Sequence, residues 1–388
     1  MAAQNQAGGG EQTRLRDVVG VLDSLYDPSR AHDWDAVGTV LGDPDALVER
    51  VLFAVDPVQA VADEAVEWGA NLVVVHHPLW LKGVTSFAAT TPKGRVAHTL
   101  VSHGIALHTC HTNADSPALG VSESMALALG LTDLRPLDPD PEPALDAWTV
   151  FVPRESADLV LAAMHDAGAG QVGDYDRAAF RSDGIGQFRP LEGADPAIGA
   201  LGEIEQVVET RLELVAPRSS RECIREAMIA AHPYEEVAHG VVELAARPDD
   251  RGSGRIGTLA TSTTLREFAA TVRDALPDHH SADRVAGVLD RDVRTVAVCG
   301  GSGDFLLDAA GAAGADVYVT SDLRHHPVSE HLEAGGCAVI DVPHWAAEWT
   351  WLPVAATALT ERVAGIEVRV SERITDPWSA AVPGTVSL

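Results

Sequence analysis

Short apolar runs alternate with amphipathic stretches in the first third of the chain. Residues 51–55 predict a buried strand, residues 58–68 a helix, and residues 69–75 a second strand that runs directly into His76-His77-Pro78. A further strand is predicted at residues 105–107. Apolar strands separated by helices are typical of a mainly parallel α/β sheet, whose functional side chains gather beyond the carboxyl ends of the strands.

The last third of the chain repeats this order. Residues 293–298 predict a strand, residues 305–313 a helix, and residues 314–319 a strand that is followed shortly by His325-His326-Pro327. Residues 338–342 predict one more strand. The repeat predicts an α/β fold made of two similar halves.

Two stretches interrupt the apolar pattern with Pro, Gly and charged residues, and we interpret both as linkers: residues 133–146 and 247–254. The segment between them has strand and helix signals of its own and predicts an inserted α+β domain. The predicted division is a first half at residues 12–134, an inserted domain at 145–247, a second half at 252–374 and a C-terminal tail at 375–388.

Composition narrows the function classes. The 388 residues carry 57 Asp plus Glu against 28 Lys plus Arg, a net charge of −29, which disfavours nucleic acid as a partner. The four cysteines form no C-x-x-C pair, so neither a disulfide framework nor a thiolate zinc site is indicated. The N-terminal residues lack a secretory pattern, and no apolar run is long enough to span a membrane, so we expect a cytoplasmic protein without membrane association.

The histidine pair at residues 76 and 77 is the first candidate for metal chemistry. Neighbouring side chains of a strand point to opposite faces, but at the end of the strand His76 and His77 can diverge toward two metal ions. Pro78 favours an extended conformation for His77. The alternative is one buried, hydrogen-bonded histidine beside one exposed histidine.

Two further pairs follow other predicted strands. His111 and Asp115 precede a helix predicted at residues 117–129, where Asp115 could serve only as an N-cap. His344 and Glu348 lie four residues apart on one face of a predicted helix, a spacing that can clamp a metal ion or form an ordinary surface pair.

Five of these side chains occupy predicted strand ends on one rim and supply imidazole and carboxylate without thiolate. This mixture suits Zn, Fe, Mn, Ni or Co, and it exceeds what one closed site needs, so we predict two divalent ions per subunit. The predicted metal ligands are His76, His77, Asp115, His344 and Glu348.

Two other features are less specific. The run Cys299-Gly300-Gly301-Ser302-Gly303 could cradle an anion or form a tight turn. Asp322, His325 and His326 could support the ligands or face a substrate, because a histidine that titrates near neutral pH can move protons.

Taken together, these motifs resemble the NIF3-like family of dinuclear-metal proteins, also catalogued as GTP cyclohydrolase 1 type 2 homologues. The resemblance is carried by Trp34-Asp35-x-x-Gly38, His76-His77-Pro78, His111-Thr112-Asn113-x-Asp115, Gly300-Gly301-Ser302-Gly303, Asp322-x-x-x-His326 and His344-x-x-x-Glu348. It implies Glu348 as the bridge between two metals, a toroidal homohexamer, and a ferredoxin-like insert similar to PII or CutA. Ala36, His325 and Pro343 depart from the family pattern without removing a ligand.

Two functions remain open at this stage. The first is a metal-dependent hydrolase that acts on a nucleotide or related small molecule, with His326 or His111 moving protons. GTP ring opening is the reaction that the resemblance implies. The second is a non-catalytic metal-binding or metabolite-sensing ring, and the net charge disfavours a third, a ring that encircles DNA.

Overall fold

The apolar runs near both ends of the chain form the parallel strands of two sheets in the computed structural model, which describes residues 12–141, 144–245 and 248–382. Contacts divide the chain into two units. One unit holds the described residues up to 140 and from 250 onward, and the other comprises residues 141–249. Among the described residues, no helix is long and apolar enough to cross a membrane.

The elements follow one another in three stretches. The first contains α1 (Leu15–Leu25), β1 (Gly38–Leu41), β2 (Arg50–Ala54), α2 (Gln59–Trp68), β3 (Leu72–Val75), α3 (Pro92–Ser102), β4 (Ala106–Thr109), α4 (Thr112–Asp115), α5 (Val121–Ala128) and β5 (Thr132–Pro141). The second contains β6 (Leu145–Pro153), α6 (Ala157–Asp166), β7 (Phe180–Phe188), β8 (Glu205–Pro217), α7 (Arg221–Ala231) and β9 (His239–Glu243). The third contains β10 (Pro248–Thr264), α8 (Leu265–Ala275), β11 (Arg284–Ala286), β12 (Asp292–Ser302), α9 (Leu307–Ala312), β13 (Val317–Ser321), α10 (His325–Glu333), β14 (Ala338–Asp341), α11 (His344–Trp349), α12 (Trp351–Arg362) and β15 (Glu367–Val370).

The predicted repeat is present as two α/β sheets in the larger unit. The first has the order β1-β4-β3-β2-β15, in which β15, β2, β3 and β4 run parallel and β1 is antiparallel. The second has the order β11-β14-β13-β12-β10-β5, with β12, β13 and β14 parallel. The α/β fold class is therefore confirmed.

Apolar side chains cover both faces of these central strands, which explains their continuous apolar sequence. In β3, Leu72 and Val74 belong to one core cluster, and Val73 and Val75 belong to another, together with residues of α2 and α3. The first cluster also contains residues of the second sheet and of α5 and α12. The two halves therefore share this first core cluster.

Both segments that we interpreted as linkers contain a boundary between the two units, but their described residues lie mostly in strands, not in loops. Most of residues 133–146 lie in β5, and most of residues 247–254 lie in β10, its hydrogen-bonded neighbour in the sheet. Pro139 and Pro141 lie on β5, an edge strand, where a missing backbone N–H is tolerated, and Pro143 lies outside the described residues. The predicted domain boundaries stay a prediction, and residues 247 and 383–388 lie outside the described ranges.

The smaller unit runs β-α-β-β-α-β. Its strand order is β7-β8-β6-β9 with antiparallel pairing throughout. Alternate residues of β6 and β8, such as Val150 and Leu212, pack against Val160 of α6 and Ile224 of α7. The alternation arises because the helices cover one face of this sheet.

Candidate metal centre

The first two histidines of the site continue the line of strand β3. The backbone N–H groups of His76 and His77 still donate to Ala54 and Val55, which extends the register of β2 and β3 by two residues. The rings then diverge, with centroids 5.1 Å apart. His76 is buried and His77 is partly exposed. Both predicted ligands therefore lie at the carboxyl end of a central parallel strand.

The second half supplies a carboxylate and another imidazole. His344 is the first residue of α11, and Glu348 lies one turn later with only 3% of its surface exposed. The Glu348 Oε1 atom lies 2.7 Å from His344 Nε2 and 3.4 Å from His76 Nε2, and its Oε2 lies 3.1 Å from His77 Nε2. One carboxylate thus contacts three imidazoles that come from both halves of the chain.

His111 and Asp115 flank the same cluster. The His111 ring lies 5.1 Å from that of His76 and 5.5 Å from that of His77. The Asp115 Oδ1 atom lies 3.7 Å from His76 Nε2. Two sets of donor atoms, each within 4.8 Å of one another, have the composition of metal sites: His76, His77 and His111; and His77, His344 and Glu348. His111, which we expected to move protons, is therefore also a candidate ligand.

Each of the four histidines has its Nδ1 atom hydrogen-bonded, which leaves Nε2 directed at the cluster. His77 donates to Asp56 at 2.7 Å, His111 to Asp35 at 2.8 Å, and His344 to Asp322 at 2.7 Å. His76 donates to the carbonyl of Cys110 at 2.9 Å. Such partners fix the tautomer and the orientation of metal-binding histidines.

Three of these supporting groups were missed or left without a role by the sequence analysis. Asp35 appeared only within a motif, and Asp56 and the Cys110 carbonyl were not singled out. The position of Asp56 was a usable signal, because it follows the parallel strand next to β3. Asp322 was predicted to support ligands or face a substrate, and it holds His344.

The carboxylates control the charge of the site. Burial lowers the pKa of His77 and His344, but Glu348 and the supporting aspartates outweigh it and raise these pKa values to about 11 and about 10. Burial opposes ionisation of Glu348, yet the surrounding imidazoles hold its pKa well below the usual range. Without a cation, the buried carboxylate is thus neutralised by protons on the imidazoles, and a bound metal would take their place.

The residues present fit a divalent metal. The Glu348 Oε2 and His344 Nε2 atoms are buried, and although each lies close to an oppositely charged group, neither makes a hydrogen bond of normal geometry among the described residues. Buried polar atoms without partners are rare in proteins and point to an absent ligand. The nitrogen and oxygen donors match Zn, Fe, Mn, Ni or Co.

One glycine of the Gly-rich run in β12 leaves space for the Glu348 carboxylate. Gly301 has a φ of 70°, and a Cβ atom there would lie 2.7 Å from Glu348 Oε1. Of the two interpretations of this run, an anion cradle is disfavoured because the run faces a buried negative charge, and Gly301 leaves room for Glu348.

The described contacts of His326 include none of the candidate metal ligands. It is exposed on α10, with its ring 5.1 Å from that of His325. Within residues 12–141, 144–245 and 248–382, no hydrogen bond or ring contact joins His326 to the ligand candidates. Its catalytic role stays a prediction.

Comparisons with known proteins agree with this architecture. The family model for Duf34/NIF3 (NGG1p interacting factor 3) matches residues 13–377. A Mycobacterium tuberculosis protein named GTP cyclohydrolase 1 type 2 homolog is 48% identical over 368 residues, which cover 94% of this chain and 97% of the relative. A Bacillus subtilis protein of the same name is 35% identical, covering 94% and 98%.

Solved structures show the same likeness. The structure of a Bacillus cereus protein related to NIF3 is 33% identical, with a TM-score of 0.69, and the match covers 96% of this chain and 100% of that one. A Staphylococcus aureus structure is 27% identical, with a TM-score of 0.77 and the same coverage.

Proposed function

This chain belongs to the Duf34/NIF3 family, and from that membership we propose that it binds two divalent metal ions per subunit and hydrolyses a nucleotide or a related small molecule. The observation that carries the proposal is the Glu348 carboxylate, buried among three imidazoles whose Nε2 atoms converge on it from both halves of the chain. Hydrophobic side chains often stabilise a fold as well as a buried charged group does, so the burial of Glu348 points to a function and not to stability.

We assign the metal ligands as His76, His77, Asp115, His344 and Glu348, with Glu348 as the bridge. The contacts of Glu348 support this assignment, because its Oε1 faces His76 and His344 while its Oε2 faces His77. Asp115 faces His76 from the other side. His111 is an additional donor near His76 and His77.

Cations held there would supply Lewis acidity and would lower the pKa of a coordinated water toward neutrality. The protein's own contribution is to position the donors and to handle protons. Asp35 accepts a hydrogen bond from Nδ1 of His111, so the Nε2 atom of His111 can accept a proton from a reacting group whenever it does not bind a metal ion. His326 remains a second predicted proton carrier, exposed on α10.

The names of the relatives support a nucleotide as substrate, and GTP ring opening is the specific candidate reaction. The test is to load the purified chain separately with Mn, Fe, Ni or Zn and to assay each form against a nucleotide panel. We expect turnover in at least one form, and its loss in His344→Ala together with loss of metal. Absence of turnover in every metallated form would contradict the hydrolase proposal and favour a metal-binding or sensing role.

Three finer points complete the proposal. We propose a ferredoxin-like insert, which the β-α-β-β-α-β order of the smaller unit supports. The homohexameric ring implied by the family resemblance is tested by light scattering coupled to gel filtration. A cytoplasmic location stays a prediction from the sequence.

A further inference from the structure

A cavity of about 390 Å³ opens beside the metal centre. His77 and Asp56, which belong to the centre, lie on its wall together with Lys93 and Arg95 of helix α3. A molecule in this cavity can therefore reach a candidate metal ligand and two cationic side chains at once.

These two cations have no partner among the described residues: neither Lys93 nor Arg95 makes a side-chain hydrogen bond or an ion pair, and both are exposed. This is unusual for a chain with a net charge of −29, in which acidic groups outnumber basic ones two to one. Elsewhere, arginines such as Arg221 and Arg255 are bonded to carboxylates. The α3 cations are thus left available for an anion from outside the chain.

The placement of lysine adds to this argument. Only two of the 28 basic residues are lysines, Lys82 and Lys93, and both follow the His76-His77 pair within seventeen residues. Lysine binds phosphate as a compact point charge on a flexible stem, and arginine binds it through the planar fork of its guanidinium, so both side chains suit a phosphate group. Lys93 lines the cavity, while Lys82 is exposed and does not line it.

The carboxylate on the cavity wall is bonded to other groups than the α3 cations. One oxygen of Asp56 accepts a hydrogen bond from His77 and the other accepts one from Thr375. Asp56 therefore does not occupy Lys93 or Arg95, and both cations remain available to a ligand.

We propose that Lys93 and Arg95 form an anion subsite that binds the phosphate groups of a phosphorylated substrate while its reacting part lies at the metal centre. This inference rests on the proposed function and extends it, because it assigns the substrate class to two side chains outside the ligand set.

The test measures binding of inorganic pyrophosphate to the full chain by calorimetry after treatment with a chelator, so that metal ions contribute nothing to the affinity. We expect Lys93→Ala and Arg95→Ala each to weaken binding about tenfold, the effect of losing one charge-assisted hydrogen bond. Lys93→Arg should restore most of the affinity, because it keeps the charge.

Lys82→Ala is the matched control, since it removes the other lysine without touching the cavity. Undetectable pyrophosphate binding by the unmodified chain, or equal losses in Lys82→Ala and Lys93→Ala, would overturn the subsite. Metal content of each variant, measured before chelation, separates this result from the proposed function. If Lys93→Ala has normal metal content and binds pyrophosphate as the parent chain does, only the subsite is wrong. If the parent chain itself contains no metal, the proposed metal centre is wrong.

Discussion

In each of the four histidines of the candidate centre, one ring nitrogen donates a hydrogen bond to a neighbouring group, so only the other nitrogen can bind a metal. Hydrogen bonds from Nδ1 to Asp56, Asp35, Asp322 and the Cys110 carbonyl leave each Nε2 facing the cluster. This arrangement lowers the cost of ordering the ligands on binding, because the rotation of the rings is already restricted.

Glu348→Gln should remove the central charge with little change of shape. We expect at least a tenfold loss of metal affinity. The amide carries no charge to neutralise two cations, and its NH₂ group, which only donates hydrogen bonds, replaces one of the two oxygens that could bind a metal. Elemental analysis of the purified variant beside the parent chain gives the readout. Unchanged metal content would show that Glu348 is not a ligand.

Asp56→Asn should weaken metal binding without abolishing it. Asp56 touches His77 and not the metal position, and loss of such a supporting partner typically costs 10- to 100-fold in affinity. Competition with a fluorescent chelator measures the change. Asp63→Asn on the exposed face of α2 is the control, and an equal loss there would argue against a positioning role for Asp56.

At the level of elements, β12 and α11 approach each other closely, and a glycine in β12 leaves the space that the Glu348 carboxylate occupies. Gly301 lies within strand β12 opposite Glu348, and its left-handed conformation is one that other residues adopt only with strain.

Gly301→Ala should therefore reduce metal content and stability together. Gly314→Ala is the matched control, because Gly314 has a similar φ of 76° but a Cβ atom there would meet no atom within 4 Å. Both variants carry the backbone penalty of about 1 kcal/mol, and only Gly301→Ala adds the clash with Glu348. Thermal unfolding and elemental analysis compare the two, and equal behaviour would contradict this account of Gly301.

The smaller unit has a buried charge of its own. Asp146 on β6 accepts hydrogen bonds at 2.7 Å from the guanidinium of Arg221, which hold the pKa of that carboxyl below its usual value. The ionised form is thus favoured in the folded state. Its stabilising effect is present above the unfolded pKa of about 4 and is lost as the pH falls through the lowered value.

Asp146→Asn should accordingly increase hydrogen exchange of the β6 and β8 amides at pH 7, and the difference from the parent chain should shrink as the solution is acidified below pH 4. Asp158→Asn removes an exposed ion pair with Arg181 and serves as the control, with little expected effect. A pH-independent difference would show that the pair does not act through its charge.

At the scale of the whole molecule, the metal centre joins parts of the chain that are distant in sequence. His77 and Glu348 are brought together because both halves contribute to one core, and because β15 returns from the second half to pair with β2 of the first. A metal ion held between them would tie the two halves to each other.

Removal of metal should then destabilise the larger unit. A ligand at one hundred times its dissociation constant stabilises the folded state by about 2.7 kcal/mol. Chelation should raise hydrogen exchange in β3, β12 and α11 and leave β6 and β8 unchanged. A uniform rise, or none, would contradict a metal site confined to the larger unit.

The central strands and the His344–Glu348 helix were predictable because their signals are local. Runs such as residues 72–75 are apolar throughout, and a spacing of four places two side chains on one helical face whatever surrounds them. The strands within the two linker segments were not predictable, because prolines are compatible with an edge strand, and edge position is a property of the sheet, not of the segment.

The sequence by itself therefore determined the repeated α/β order and the set of imidazole and carboxylate candidates, since these depend on residue type and short spacing. Only the tertiary structure decided that Asp35 and Asp56 support the rings, that His111 lies among the donors, and that Lys93 and Arg95 share a cavity with His77. Such contacts join residues that are far apart along the chain, and their proximity arises from strand order and helix packing, which local pattern does not encode.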